Sequence, residues 1–236
     1  MKQILTIGLI GIAASALFAA DSNPKDKVAS AAKQLGDKSN YSWAMTTKEA
    51  DGSPGRLGTI EGKTEKGGVV SLSFTAGDVP VQVYMKGQKG TARAQEGWQT
   101  FDDIAQTSGT AAAIVRYLRS YKTPAAQCAD LAGKVKELKE ADGALAGDLK
   151  EEAVQDMLLF GTRQREGQEP PKTMGAKGSV RFWIKEGAVA KYEINVQGKV
   201  TAGDREFDIN RTMTTEVKDA GSTQMEIPAE AQAKME

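Results

Sequence analysis

The chain predicts an α+β fold: a strongly curved antiparallel sheet, in effect an unclosed barrel, with helices covering its concave face. Two observations carry the sheet and a third the helices. Apolar residues recur with period two from Tyr41 to about Ala94 and again from Val180 to Val217, as in strands dry on one side and wet on the other. Between these stretches, from about 102 to 160, the period is helical. About seven to nine twisted strands with one apolar face curl, and their concave side cannot be left to water. The middle helices are the available cover.

The chain opens on a segment outside that fold. Lys2 supplies a short positive region, Ile4 to Phe18 is apolar or small, and Ala19-Ala20 offers a small-residue cleavage point. This is the pattern of a secretory signal peptide over residues 1–19, too short for a comfortable membrane span. No Cys ends the apolar run, so N-terminal acylation has no acceptor. The expectation is a mature chain from near Ala20 or Asp21 that is periplasmic or secreted, not lipidated, and without an integral membrane segment. From 20 to 236 nothing forces a split, and the length suits one curved-sheet domain with a helical insert over about 102–160.

Asn23 before Pro24 caps a first helix, which Val28, Ala31, Ala32 and Leu35 stripe and Gly36 ends. Strands follow, with Tyr41, Trp43 and Met45 on one face, then Val70, Leu72 and Phe74, then Val79, Val81, Val83 and Met85. Pro80 is tolerable only near an edge or a strand start. Gly52-Ser53-Pro54-Gly55, Gly67-Gly68, Gly77-Asp78 and Gly87 are the turns. After Gly97-Trp98, a helix carries Ile114, Val115, Leu118 and Tyr121, and Thr123-Pro124 opens a second that runs through Lys139 until Asp142-Gly143 breaks it. Asp148 with Glu151 resembles a capping box before a third helix bearing Val154, Met157 and Leu158. The segment GQEPPK reads as a polar hinge. Strands then return with Val180, Phe182 and Ile184; across Glu186-Gly187, with Ala190, Tyr192, Ile194 and Val196; and finally with Phe207, Ile209, Met213 and Val217.

Composition removes most chemistry. Over 236 residues, 31 basic residues balance 31 acidic ones; without a like-charge block there is neither a nucleic-acid groove nor a polybasic membrane patch. His is absent, which removes the commonest general base, the Ser-His and Cys-His pairs, and imidazole ligation. The single Cys128 allows no internal disulfide or thiolate cluster; with Leu131, Val135 and Leu138 at helical spacing it reads as a small core residue. The pairs Asp102-Asp103, Glu151-Glu152 and Asp204 with Glu206 read as solvated surface, the first of them opening a helix. Ser30 and Lys33 fit S-x-x-K without the elements that accompany it in enzymes. The expectation is a protein that is not an enzyme, with no catalytic residue, metal or cofactor.

The large residues on the apolar faces, Trp43, Met45, Phe74, Met85, Phe182 and Tyr192, are the candidate lining of a lipid-sized cavity between sheet and helices. Trp98, between a strand and the helical stretch, is the candidate for its rim. Periodicity does not distinguish a lined cavity from a filled core.

The order of elements, with the segments GTARAQEGWQT and TMTTEVKDAGSTQMEIPAEA, resembles the periplasmic lipoprotein-carrier superfamily, which includes the lipoprotein-localisation carrier and mycobacterial lipid-carrying lipoproteins. The resemblance covers most of the mature chain by topology and implies an unclosed barrel, capped by helices, that binds acyl chains without catalysis. It transfers no binding residue. The expected function is an extracytoplasmic carrier or sensor of a lipid or other apolar ligand, exchanging it with a membrane-bound donor or acceptor protein. The alternative is a structural or protein-interaction domain with a filled core, engaging a partner through a strand edge or face.

Overall fold

The structure, a computed structural model, describes residues 23–55, 57–94, 97–107, 109–159 and 169–235. The signal peptide read over 1–19 and Gly167-Gln168 of the polar hinge lie outside them. Helix α1 (Pro24–Gly36) leads into a meander of β1 (Asn40–Glu49), β2 (Ile60–Glu65), β3 (Val69–Ala76), β4 (Val79–Lys86), β5 (Lys89–Ala94) and β6 (Gly97–Thr100). Next come α2 (Phe101–Ala105), α3 (Thr110–Arg119), α4 (Pro124–Lys134), the hairpin β7 (Lys139–Ala141) and β8 (Ala144–Asp148), and α5 (Glu151–Leu159). The second meander is β9 (Lys172–Lys185), β10 (Ala188–Ala202) and β11 (Arg205–Lys218), followed by α6 (Ala229–Ala233).

All eleven strands form one sheet in the order β6-β5-β4-β3-β2-β1-β11-β10-β9-β8-β7. The antiparallel pairing of β1 with β11 stitches the two meanders together. The end strands β6 and β7 do not meet, so the barrel is unclosed and the predicted α+β class holds. Pro80 sits where β4 has only β3 beside it, since the pairing of β5 begins at Gln82. The absent N–H of a proline costs least at such a place.

Local chemistry explains the helix starts. Asn23 Oδ1 accepts from the Lys25 amide at 3.0 Å, with Pro24 in the first turn. At α2, the Asp103 amide donates to Thr100 Oγ1 at 3.1 Å and the Thr100 amide to Asp103 Oδ2 at 3.3 Å, a reciprocal capping box.

The stretch 102–160 is not helical throughout. Helix α4 stops at Lys134 rather than Lys139; Val135 is extended and bridges to Leu149. Asp142 (φ 50°) and Gly143 (φ 73°) are both left-handed, the geometry of a two-residue hairpin turn. They join β7 to β8 instead of breaking a helix. Asp148 ends β8, its carbonyl accepting from the Lys136 amide at 2.9 Å, and does not cap α5. Val135 and Leu138 are buried as their spacing predicted, but from an extended segment.

The core lies on one face of the sheet. Leu145, Phe182, Tyr192, Thr215, Met45 and Ile60 stand opposite one another in turn across β8, β9, β10, β11, β1 and β2. Helices α1, α4 and α5 pack on β10, and α5 also on β9. Helix α5 approaches closely because Gly178 and Gly198 lie beneath it: a Cβ on Gly198 would stand 2.7 Å from Leu158 Cδ1, and one on Gly178 3.0 Å from Val154 Cγ2. The alternation in β11 breaks at its start, where Phe207 is 47% exposed although the other apolar residues of its face pack on the core.

Among the described residues the C-terminal segment covers part of the opposite face. After β11 the chain crosses the first meander, anchored by Tyr84 Oη donating to the Glu226 carbonyl at 2.9 Å and Lys63 Nζ to the Gln224 carbonyl at 3.1 Å. Ala231 of α6 then packs with Tyr84 and Trp98.

Candidate functional site

Between α1, the β7–β8 hairpin and β9 lies an open cleft of about 720 Å³, within the size range of small-molecule sites. Ala31 of α1, Leu145 of β8, and Phe182 and Ile184 of β9 give it apolar walls; Asp26, Lys27, Glu140 and Asp142 give it a charged mouth. Lys27 Nζ and Glu140 Oε1 approach to 3.5 Å across that mouth, joining helix to hairpin. Arg181 Nη2 holds Asp142 Oδ2 at 3.2 Å. Deeper along α1, Lys25 Nζ donates to the Val135 carbonyl at 2.8 Å.

The candidate lining residues divide. Phe182 lines the cleft and is fully buried. Tyr192 and Met45 continue its row across the sheet. Trp43 sits one step along β1, its indole Nε1 donating to Tyr121 Oη at 3.0 Å and its ring stacked on that of Tyr121 at 6.4 Å. Phe74 and Met85 share the dry face but lie in β3 and β4, on the far side of β1 and β2 from the cleft. Phe74 also borders a second open groove, of about 620 Å³, with Thr75, Val79 and Val81. Trp98 is on the wet face, 7% exposed beneath the C-terminal segment with Tyr84, so the structure places it away from the mouth of the cleft.

Lys27, Glu140 and Leu145 complete the site without having been singled out in the sequence, and Ile184 reads there only as an apolar strand residue. The signal for the hairpin was present: Asp-Gly flanked by apolar residues is a strong hairpin pattern, and it places Glu140 and Leu145 on paired strands. Ser30 also lines the cleft, but Lys33 is drawn to Asp37 at 2.6 Å. Among the described residues no group of three acidic or Cys side chains could hold a metal ion.

Tyr192 Oη donates to Gln127 Oε1 of α4 at 2.5 Å, tying helix to sheet. Burial raises the phenols of all five tyrosines: Tyr41, Tyr84, Tyr121, Tyr192, and Tyr117, which is pushed up to about 12. The unfolded chain releases these protons near pH 10.0 while the native state keeps them, so stability is intact below that pH and falls as pH rises through the native values. Burial likewise raises the Cys128 thiol. Tyrosinate absorbance should therefore appear only in an alkaline transition that coincides with loss of circular dichroism, and a thiol reagent should label Cys128 only after denaturation. Early titration of Tyr121 or Tyr192 would show them solvated.

No protein-family model matches the chain, and no curated protein is similar to it in sequence. Solved structures are similar in shape. Lipoprotein LppX of Mycobacterium tuberculosis aligns with 87% of this chain and 98% of its own at 10% identity, with a TM-score of 0.50. LprF of Mycobacterium bovis aligns at a TM-score of 0.47 and 9% identity, over 88% and 97% of the two chains. A LolA-superfamily protein of Nitrosomonas europaea aligns at 0.34 and 9%, over 88% and 96%. Among the described residues no helix is long and apolar enough to cross a membrane. An unclosed antiparallel sheet with one helix-covered face, aligned along nearly the whole of LppX, gives this chain the fold of lipoprotein LppX.

Proposed function

We propose that the protein is an exported, non-enzymatic carrier or sensor that holds an apolar ligand, a lipid or acyl chain, between the sheet and its helices. The observation that carries this reading is the cleft, two of whose apolar wall residues, Leu145 and Phe182, belong to the same row of side chains that α1 and α4 cover deeper in the molecule. Helix and ligand then compete for one apolar surface, and an opened state is selected by whichever binds it better. The carrier fold supports the reading, and a membrane-bound protein is the natural donor or acceptor. Residues 1–19 supply the export signal; N-terminal sequencing of protein from its own host should find a start near Ala20 or Asp21 without an acyl group, and an intact Met1 would refute export.

Lipid extraction and native mass spectrometry of the same material test the carrier reading directly. Co-purifying lipid is expected. Its absence favours the second reading, an interaction domain, for which the specific observation is how fully Trp43, Phe182 and Tyr192 are already packed.

The Lys27–Glu140 pair makes a separate prediction. Glu140 is exposed and Lys27 about one-third so, and such a surface pair contributes less than about 1 kcal/mol to folding. In Lys27→Glu two carboxylates face each other across the mouth. Denaturation should barely change, while an apolar fluorescent probe should associate faster. An unchanged association rate would mean that ligands do not enter there.

A further inference from the structure

The dry face of β11 carries two cations, Arg205 at its exposed start and Arg211 farther in. Arg211 stands between Ile209 and Met213 on that face, with Val196 of β10 and Glu49 of β1 as its cross-strand partners. It lies farther along the sheet than the cleft, beyond the Phe182–Tyr192 pair and toward the β10–β11 turn. Its Nη2 donates to the Met157 carbonyl of α5 at 3.1 Å, whereas its Nε is buried with no acceptor among the described residues. Glu49 is directly opposite yet forms no ion pair with it. Four residues before Arg211, Phe207 is the exposed aromatic noted above, on the same face.

Nε and Nη2 share one edge of a guanidinium, the edge that grips a carboxylate or phosphate with two parallel hydrogen bonds. Here a neutral helix carbonyl satisfies half of that fork and the other half is left empty. A buried donor without an acceptor is unfavourable, and an anionic oxygen is the partner that relieves it best. We propose that Arg211 binds the anionic head of an acyl-chain amphiphile, a carboxylate or a phosphate, whose chain lies over Ile209 and Phe207. Bound anion replaces the Met157 carbonyl on Nη2 and fills Nε. The proposal rests on the carrier reading and adds to it the charge of the ligand and the residue that reads it.

The test compares ligands that differ only in the head: palmitate against methyl palmitate, and phosphatidylglycerol against diacylglycerol with the same chains, each competing with an apolar fluorescent probe. Wild-type protein should prefer the anionic member of at least one pair by about tenfold, and the pair that shows it identifies the head as carboxylate or phosphate. Arg211→Gln should abolish the preference by weakening only the anionic ligand, leaving the neutral ester or diacylglycerol bound as before. Arg211→Lys keeps the charge without the fork and should retain part of the preference; it also serves if Arg211→Gln fails to fold. Equal binding of acid and ester by wild type, or a preference unchanged in Arg211→Gln, overturns the proposal and leaves the carrier reading standing. Binding of none of the four lipids overturns both.

Discussion

Phe182→Ala is expected to destabilise the protein by about 3–5 kcal/mol, and added lipid should restore more stability to the variant than to wild type. The first part follows from packing. Phe182 is fully buried between Tyr192 and Leu145 in adjacent strands, and truncating a core aromatic loses its transfer free energy and leaves a cavity that the surroundings only partly fill. The second part follows from position. Phe182 also walls the cleft, so the space left by its ring opens into a channel already accessible from outside. A ligand occupying it at about a hundred times its dissociation constant contributes about 2.7 kcal/mol to the native state. Denaturant midpoints with and without lipid measure both. A variant as stable as wild type would refute the packing, and equal rescue of the two proteins would refute the connection between ring and ligand.

Gly62→Ala should cost about 3 kcal/mol, an unusually large effect for adding one methyl group. Gly62 of β2 is paired with Trp43 of β1, and the indole lies flat across the place where a side chain would start; a Cβ there overlaps Trp43 Cε2 and Cζ2 outright. Trp43 has little freedom to move, since it is stacked on Tyr121, hydrogen-bonded to it, and tilted against Tyr41 at 5.6 Å. Glycine is therefore required by the neighbour rather than by its own backbone. A double-mutant cycle isolates the cause: in a Trp43→Leu background the same substitution should cost much less, giving a coupling of about 1–3 kcal/mol. Additive losses would place the strain elsewhere.

The positions read from period two in β1, β3, β4, β9 and β10 fall on the dry face, because alternation is a property of each strand alone and survives whatever the strand pairs with, except at the register shift between Val189 and Lys191, where Val189 rather than Ala190 packs in the core. Asn23-Pro24 marked its helix for the same reason: the cap is made within three residues. The misread stretch was the one where spacing was ambiguous. Cys128, Leu131, Val135 and Leu138 suit a helix, yet only the first two are helical, since Val135 finds a strand partner in Leu149 that no local pattern reveals.

The amino-acid sequence by itself determined that this protein is a helix-covered sheet without histidine, with a single thiol and with no net charge to draw nucleic acid. Which apolar residues meet is a matter of strand order, and order depends on contacts between distant parts of the chain. The pairing of β1 with β11 brought Met45 into one row with Tyr192 and Phe182 while leaving Phe74 and Met85 strands away, and the direction of the C-terminal segment put Trp98 under α6 on the wet face. Only the tertiary structure decided that a cleft opens beside Phe182 and that Arg211 points beneath α5, because both are spaces and contacts between elements, and a residue's own periodicity carries no information about what its neighbours leave empty.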